Sequence, residues 1–157
     1  MLDLDVEMVE LEPMHVVSAR GYGTEPEYEA WDSILEFAEE RRIDPWDKTH
    51  RFFGFNNPDP SPERAAYGYE QWMTVDDAVS PAIGLEVKDT PGGRYARVHI
   101  HGLDMIGDAW QYLVDWCDNH SVAIDTSREP CLEEVLNPID LPEKDWDIDL
   151  YLAISDN

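Results

Sequence analysis

Trp72-Met-Thr-Val75 returns as Tyr151-Leu-Ala-Ile154, 79 residues further along the chain. The repetition extends outward from that pair. At the same shift Gly23 meets Gly102, Ala30-Trp31 meets Ala109-Trp110, and Ile34 meets Leu113; at a shift of 80, Asn57-Pro58 meets Asn137-Pro138. Self-similarity at a nearly fixed shift marks a duplicated unit. The copies run from about 6–78 and 84–155, inside a single domain covering 1–157. Each reads strand, helix, strand, loop, strand. One such unit cannot close a core, whereas two together build a sheet. The expected fold is therefore α+β: duplicated β-α-β-β units with pseudo-twofold symmetry, forming an antiparallel sheet with two helices on one face and a ligand groove on the other.

Two segments carry helical periodicity. Thr24-Glu-Pro-Glu27 has the form of a capping box with Pro in the first turn. Tyr28, Trp31, Ile34, Leu35 and Ala38 then recur at helical spacing, and Arg41-Arg42 suit the negative end of the helix. The second helix is expected from about Asp104 to Asp118, with Ile106, Ala109, Trp110, Leu113, Val114 and Cys117 as its apolar stripe. Strand character appears at 6–21 with an interruption at Pro13, and at 51–56, 67–75, 84–88, 94–101, 131–136 and 147–154. Asp89-Thr-Pro-Gly-Gly93 is a turn signal and predicts a hairpin between its flanking strands. Asn57-Pro-Asp-Pro-Ser-Pro62 reads as a loop, since its prolines cannot serve a regular ladder.

The chain has 157 residues, with 35 acids against 11 Lys and Arg, for a net charge of −24. Direct binding to nucleic acid is not expected, because phosphate contacts need clustered cations. An anionic membrane surface is disfavoured for the same reason. An apolar content of 43%, including six Trp, seven Tyr and four Phe, is too high for a disordered chain. Two cysteines, Cys117 and Cys131, with no signal peptide and no membrane-length apolar run, point to a reducing cytoplasm. The acidic surface reads either as solvation in a salty cytoplasm or as a face that mimics DNA or attracts cations.

Cys131-Leu-Glu-Glu-Val-Leu-Asn137 alternates as a strand, with Glu133 and Val135 on one side and Leu132, Glu134 and Leu136 on the other. The shift of 80 matches Phe53 with Glu133 and Phe55 with Val135. On that matching one carboxylate faces two rings, and Tyr69, Trp72 and Tyr151 lie on adjoining strands. A flat organic cation would satisfy such a carboxylate by charge and by cation–π attraction to the rings. The alternative is a Glu133 that faces water. Trp31 and Trp110 suit the core at helical spacing, Trp110 with a second reading at a pocket edge. Trp46 and Trp146 read as surface or lid residues.

Several stretches bear a family likeness. Gly84-Leu-Glu-Val-Lys-Asp-Thr-Pro-Gly-Gly-Arg-Tyr-Ala96 resembles the middle hairpin of the GyrI-like family, the effector-binding domains also appended to AraC/Rob-type and MerR-type multidrug regulators. Gly107-Asp-Ala-Trp-Gln-Tyr-Leu113 resembles that family's second helix. Cys131-Leu-Glu-Glu-Val-Leu-Asn-Pro138 resembles its phenylalanine-glutamate-x-tyrosine-leucine-asparagine strand. Asp149-Leu-Tyr-Leu-Ala-Ile154 and Gly68-Tyr-Glu-Gln-Trp-Met-Thr-Val75 resemble the closing strands of its two halves. The resemblance implies a central pocket for hydrophobic, often cationic, small molecules, with Glu133 as its glutamate. Val135 stands where the family has Tyr, Ala153 where it has Pro, and Asn56-Asn57 where it commonly has acids.

Three functions follow as expectations. The first is a stand-alone binding protein for hydrophobic, cationic aromatic compounds, contacting them through Glu133, Phe53, Phe55, Tyr69, Trp72, Trp110 and Tyr151, without a cofactor. The resemblance also allows a hydrolase of strained, cyclopropane-bearing DNA alkylators, with Glu133 as general base. The third is an acidic interaction module with a protein partner, a regulator or DNA gyrase. His99-Ile-His101 puts two imidazoles on one strand face, but the sequence shows no third ligand, so no metal site is expected.

Overall fold

The computed structural model describes residues 2–57, 59–76, 84–137 and 140–155. Pro58 and Pro138, matched in the duplication, and Asp77-Ala78 at the end of the first copy lie outside them. The fold is α+β, and all the strand pairs described below are antiparallel. Pro13 divides the first strand region into β1 (Glu7–Leu11) and β2 (Met14–Gly23). There follow α1 (Pro26–Glu40), β3 (Phe52–Asn56), β4 (Tyr67–Thr74), β5 (Glu86–Thr90) and β6 (Gly93–His101). A 3-10 turn at Leu103–Met105 leads into α2 (Ile106–Asn119), and β7 (Cys131–Val135) and β8 (Asp147–Ala153) complete the chain. Among the described residues no helix is long and apolar enough to cross a membrane.

The chain divides into two compact units, residues 14–90 and residues 1–13 with 91–157. In the first, β4 pairs with β3 and β2, and β2 pairs with β5. Helix α1 covers one face: Trp31 packs on Phe52, with ring centroids 5.1 Å apart, and on Trp46 at 6.1 Å. Gly21 permits that approach, because a Cβ there would stand 2.3 Å from the Pro26 carbonyl oxygen. The expected capping box does not form. Glu25 is the N-cap and no side chain caps the helix. Glu27 instead accepts a hydrogen bond from the Tyr67 hydroxyl of β4, so tertiary contact takes the carboxylate that the box required.

In the second unit β6 pairs with β1 and β8, and β8 pairs with β7. Ala109, Leu113 and Cys117 of α2 close a core with Val98, Ile100, Ile148 and Leu150. Trp146 joins this core, contrary to its reading as a surface or lid residue. Its indole N–H donates to the Leu141 carbonyl at 2.9 Å, which satisfies its polar edge and lets the ring be buried.

The hairpin expected across Asp89–Gly93 is not a closed pair either. β5 takes β2 as its partner, while β6 takes β1 and β8. Pro91 has no N–H to continue a ladder, and Gly92 and Gly93 hold φ of +68° and +127°. The turn therefore passes the chain from one unit to the other. Leu113→Ala should lower unfolding free energy by about 2–5 kcal/mol in denaturant titrations, the range for emptying a buried leucine site.

Candidate functional site

Strand alternation and register place the chemistry. In the first unit Phe52 lies opposite Met73 on the α1 side, so Phe53 opposite Trp72, and Phe55 opposite Glu70, lie on the side away from α1. All four side chains there are buried. Phe55 meets Trp72 edge to face at 4.9 Å, and the Arg51 guanidinium lies 4.9 Å from the Phe53 ring centroid.

Glu70 is the charged member of this cluster, only 3% exposed. Its Oε2 accepts hydrogen bonds from Lys88 Nζ at 2.5 Å, Trp72 Nε1 at 2.7 Å and Ser18 Oγ at 2.7 Å; its Oε1 accepts from Asn57 Nδ2 at 3.0 Å. Burial pushes its carboxyl up, but the four donors outweigh that and hold it below the ordinary carboxylate value.

In the second unit Leu150 and Ile148 face α2, so Tyr151, Asp149 and Asp147 face away from it. Opposite them on β7 stand Leu132 against Tyr151 and Glu134 against Asp149. The buried Tyr151 hydroxyl donates to Glu134 Oε1 at 2.7 Å, and its ring meets Tyr95 edge to face at 5.8 Å. Burial raises the Tyr95 hydroxyl above its ordinary value, against the opposing pull of Arg128, whose guanidinium lies 4.3 Å over the ring. A cavity of about 530 Å³ in this unit is lined by Asp3, Asp5, Glu7, Arg97, His99 and Asp149, with Leu4 and Leu136. Arg97 is paired with Glu7 at 3.2 Å.

Phe53, Phe55 and Trp72 thus share one face, a grouping that the sequence left open for Trp72, around an acid that the sequence reading passed over. Alternation in Tyr-Glu-Gln-Trp72 already put Glu70 on the Trp72 face. Tyr69 lies on the other side, opposite Asn56 and Gly21, toward α1. Tyr151 lies on the face away from α2. Glu133 does not share that face: it stands opposite Leu150 on the α2 side, and its Oε2 accepts from Trp110 Nε1 at 3.1 Å. The correction has a simple cause. Strand registers superimpose the two units at a shift of 79, setting Leu132 with Phe53 and Glu134 with Phe55, whereas a shift of 80 reverses every side chain. The match at a shift of 80 thus set Glu133 on the face that Glu134 occupies.

Comparison with known proteins adds to this geometry. Residues 7–154 match the Cass2 family, described as integron-associated effector binding protein. The chain belongs to the Cass2 family. Its fold is similar to the C-terminal domain of EcmrR, with a TM-score of 0.74, 14% identity and coverage of 98% of this chain and 99% of that one. It is also similar to a hydrolase from Listeria innocua, with a TM-score of 0.70, 12% identity and coverage of 96% and 91%. A third relative is SAV2435 bound to tetraphenylphosphonium, with a TM-score of 0.59, 8% identity and coverage of 97% and 94%. A comparison with curated protein sequences returned no match. At these identities the solved structures establish the fold: this Cass2 chain has the effector-binding fold of GyrI-like domains.

Glu70 should leave a pH signature. Its folded pKa is depressed, so its contribution is present above the unfolded carboxylate value and is lost as pH falls through the lower folded one. Glu70→Gln should cost about 2 kcal/mol at neutral pH, since Lys88 loses its buried partner but still reaches water. The difference from wild type, followed by denaturant unfolding, should shrink as pH drops below the ordinary carboxylate range.

Proposed function

We propose that this Cass2 protein binds hydrophobic, cationic aromatic small molecules in the cytoplasm. The observation that carries the reading is the buried cluster of Phe53, Phe55 and Trp72 around the Glu70 carboxylate, on the side away from α1. Tyr151 with Glu134 repeats the pairing of a ring with an acid in the second unit. Rings at such positions attract an organic cation by about 0.5–2 kcal/mol each, and a cationic ligand would compete with Lys88 for the Glu70 carboxylate. The tetraphenylphosphonium bound by SAV2435 has that chemistry and is the natural probe. The ring contacts in this reading are Phe53, Phe55 and Trp72 in the first unit and, by itself, Tyr151 in the second. Glu134 is the acid beside Tyr151, while Glu133 and Trp110 form a separate pair on the α2 side.

Titration with tetraphenylphosphonium and an uncharged analogue, followed by tryptophan fluorescence, tests this. The cation should bind at least tenfold more tightly than the analogue, and Trp72→Ala should weaken it by a similar factor. Glu134→Gln should reduce the preference for the cation more than Glu133→Gln does. Equal affinity for charged and uncharged probes, or none for either, would refute the reading.

Hydrolysis of strained, cyclopropane-bearing compounds is a second reading. It is favoured by the Tyr151 hydroxyl, a proton donor 2.7 Å from a carboxylate. In it Glu134 takes a proton from water as its oxygen bonds to a ring carbon, the strained C–C bond breaks, Tyr151 protonates the carbon released, and the proton on Glu134 restores the tyrosine. Turnover by wild type that Glu134→Gln abolishes without loss of binding would establish it.

A further inference from the structure

His99 and His101 alternate onto one face of β6, and register sets Asp149 opposite the first and Asp147 opposite the second. Asp147 Oδ1 lies 2.9 Å from His101 Nδ1 and 3.3 Å from His99 Nε2. Those are spacings of neighbouring ligands on one ion, since metal bonds of about 2.0–2.1 Å put adjacent donors about 2.9–3.4 Å apart.

The groups behind these donors fit as well. His99 Nδ1 meets Asp149 Oδ1 at 2.8 Å, which turns Nε2 toward Asp147. Asp147 Oδ2 accepts from Asn137 Nδ2 at 3.1 Å. A ligating imidazole fixed through its other nitrogen by a carboxylate, and a ligating carboxylate fixed by an amide, are the supports that metal sites use.

Among the described residues no three such side chains already converge on one metal position. As it stands, His99 contacts Asp149 through Nδ1 at 2.8 Å and Asp147 through Nε2 at 3.3 Å. A three-ligand site here therefore requires the exposed His101 side chain to reorient when the ion enters.

We propose that His99 Nε2, His101 Nδ1 and the Asp147 carboxylate form a site for a divalent transition-metal ion of the zinc type, with Asp149 and Asn137 orienting the ligands. Two imidazoles with one carboxylate suit Zn2+ better than Mg2+ or Ca2+, which prefer oxygen throughout. His99 and Asp149 also line the 530 Å³ cavity, so remaining coordination positions have room for water or a small ligand. The site is independent of the aromatic cluster around Glu70.

The test is Zn2+ titrated into the full chain by calorimetry with Mg2+ in excess, because a net charge of −24 gathers divalent cations without selectivity. One saturable Zn2+ site is expected. His101→Gln and Asp147→Asn should each weaken it at least tenfold, while Glu63→Gln, an exposed acid in the other unit, should leave it unchanged. The imidazole side chains are 53% and 61% exposed, so their substitution should leave the thermal midpoint in place; a variant that shifts it is replaced by His101→Asn. Uptake that Mg2+ abolishes, or that is equal in wild type and in the His99→Gln/His101→Gln double variant, overturns the proposal.

Discussion

β8 is hydrogen-bonded on both edges, to β6 on one side and to β7 on the other, and those two registers fix the chemistry of the second unit. Alternate residues of β8 separate completely. Ile148, Leu150 and Leu152 join the core under α2, while Asp147, Asp149 and Tyr151 face the other way. Each of the latter meets a specific partner: Asp147 and Asp149 the two histidines of β6, and Tyr151 the acid of β7. A slip of one residue in either ladder would bury carboxylates in the core and expose leucines. The apolar face therefore enforces the position of the polar one, although the polar groups contribute little to that choice themselves.

The same parity governs the first unit, with a different outcome. Positions related by 79 residues carry Glu70 and Asp149, Phe55 and Glu134, and Trp72 and Tyr151. Both copies set rings and acids side by side away from their helices. One copy satisfies its acid with a lysine, an indole, a hydroxyl and an amide; the other uses a tyrosine hydroxyl. A carboxylate withdrawn from water is tolerated only with such donors. The first unit's acid is thereby held firmly ionised, as its lowered pKa reflects. His101 and Asp147 on the more exposed face also support each other's charge: their hydrogen bond raises the imidazole and lowers the carboxyl.

The net charge of −24 frames all of this without explaining it. It disfavours phosphate backbones and gathers cations over the entire surface. Selectivity among those cations comes from local geometry: rings beside an acid for an organic cation, imidazoles beside an acid for a transition metal. The two arrangements occupy different strands and draw on different donors, so one chain can carry both.

Much was legible in the sequence. The duplication, the α+β class, the two helices and the likeness to effector-binding domains all follow from apolar periodicity and from motifs in order, which depend on local chemistry. The meeting of Phe53 and Phe55 with Trp72 was not legible, because it depends on the register between β3 and β4. What the sequence left open lay in relations across long separations. Whether the two copies match at 79 or 80 decides whether Glu133 or Glu134 shares the face of Tyr151, and loop length alone does not settle a one-residue offset. Asp147 and Asp149 lie 46 and 50 residues from the histidines they meet. Nothing local links them; the ladder between β6 and β8 does. Capping at Thr24 and exposure of Trp146 failed likewise, because a tyrosine of β4 took Glu27 and a backbone carbonyl took the indole N–H. Local pattern determined which elements form, and hydrogen-bonded register, which only the folded chain has, decided which side chains meet.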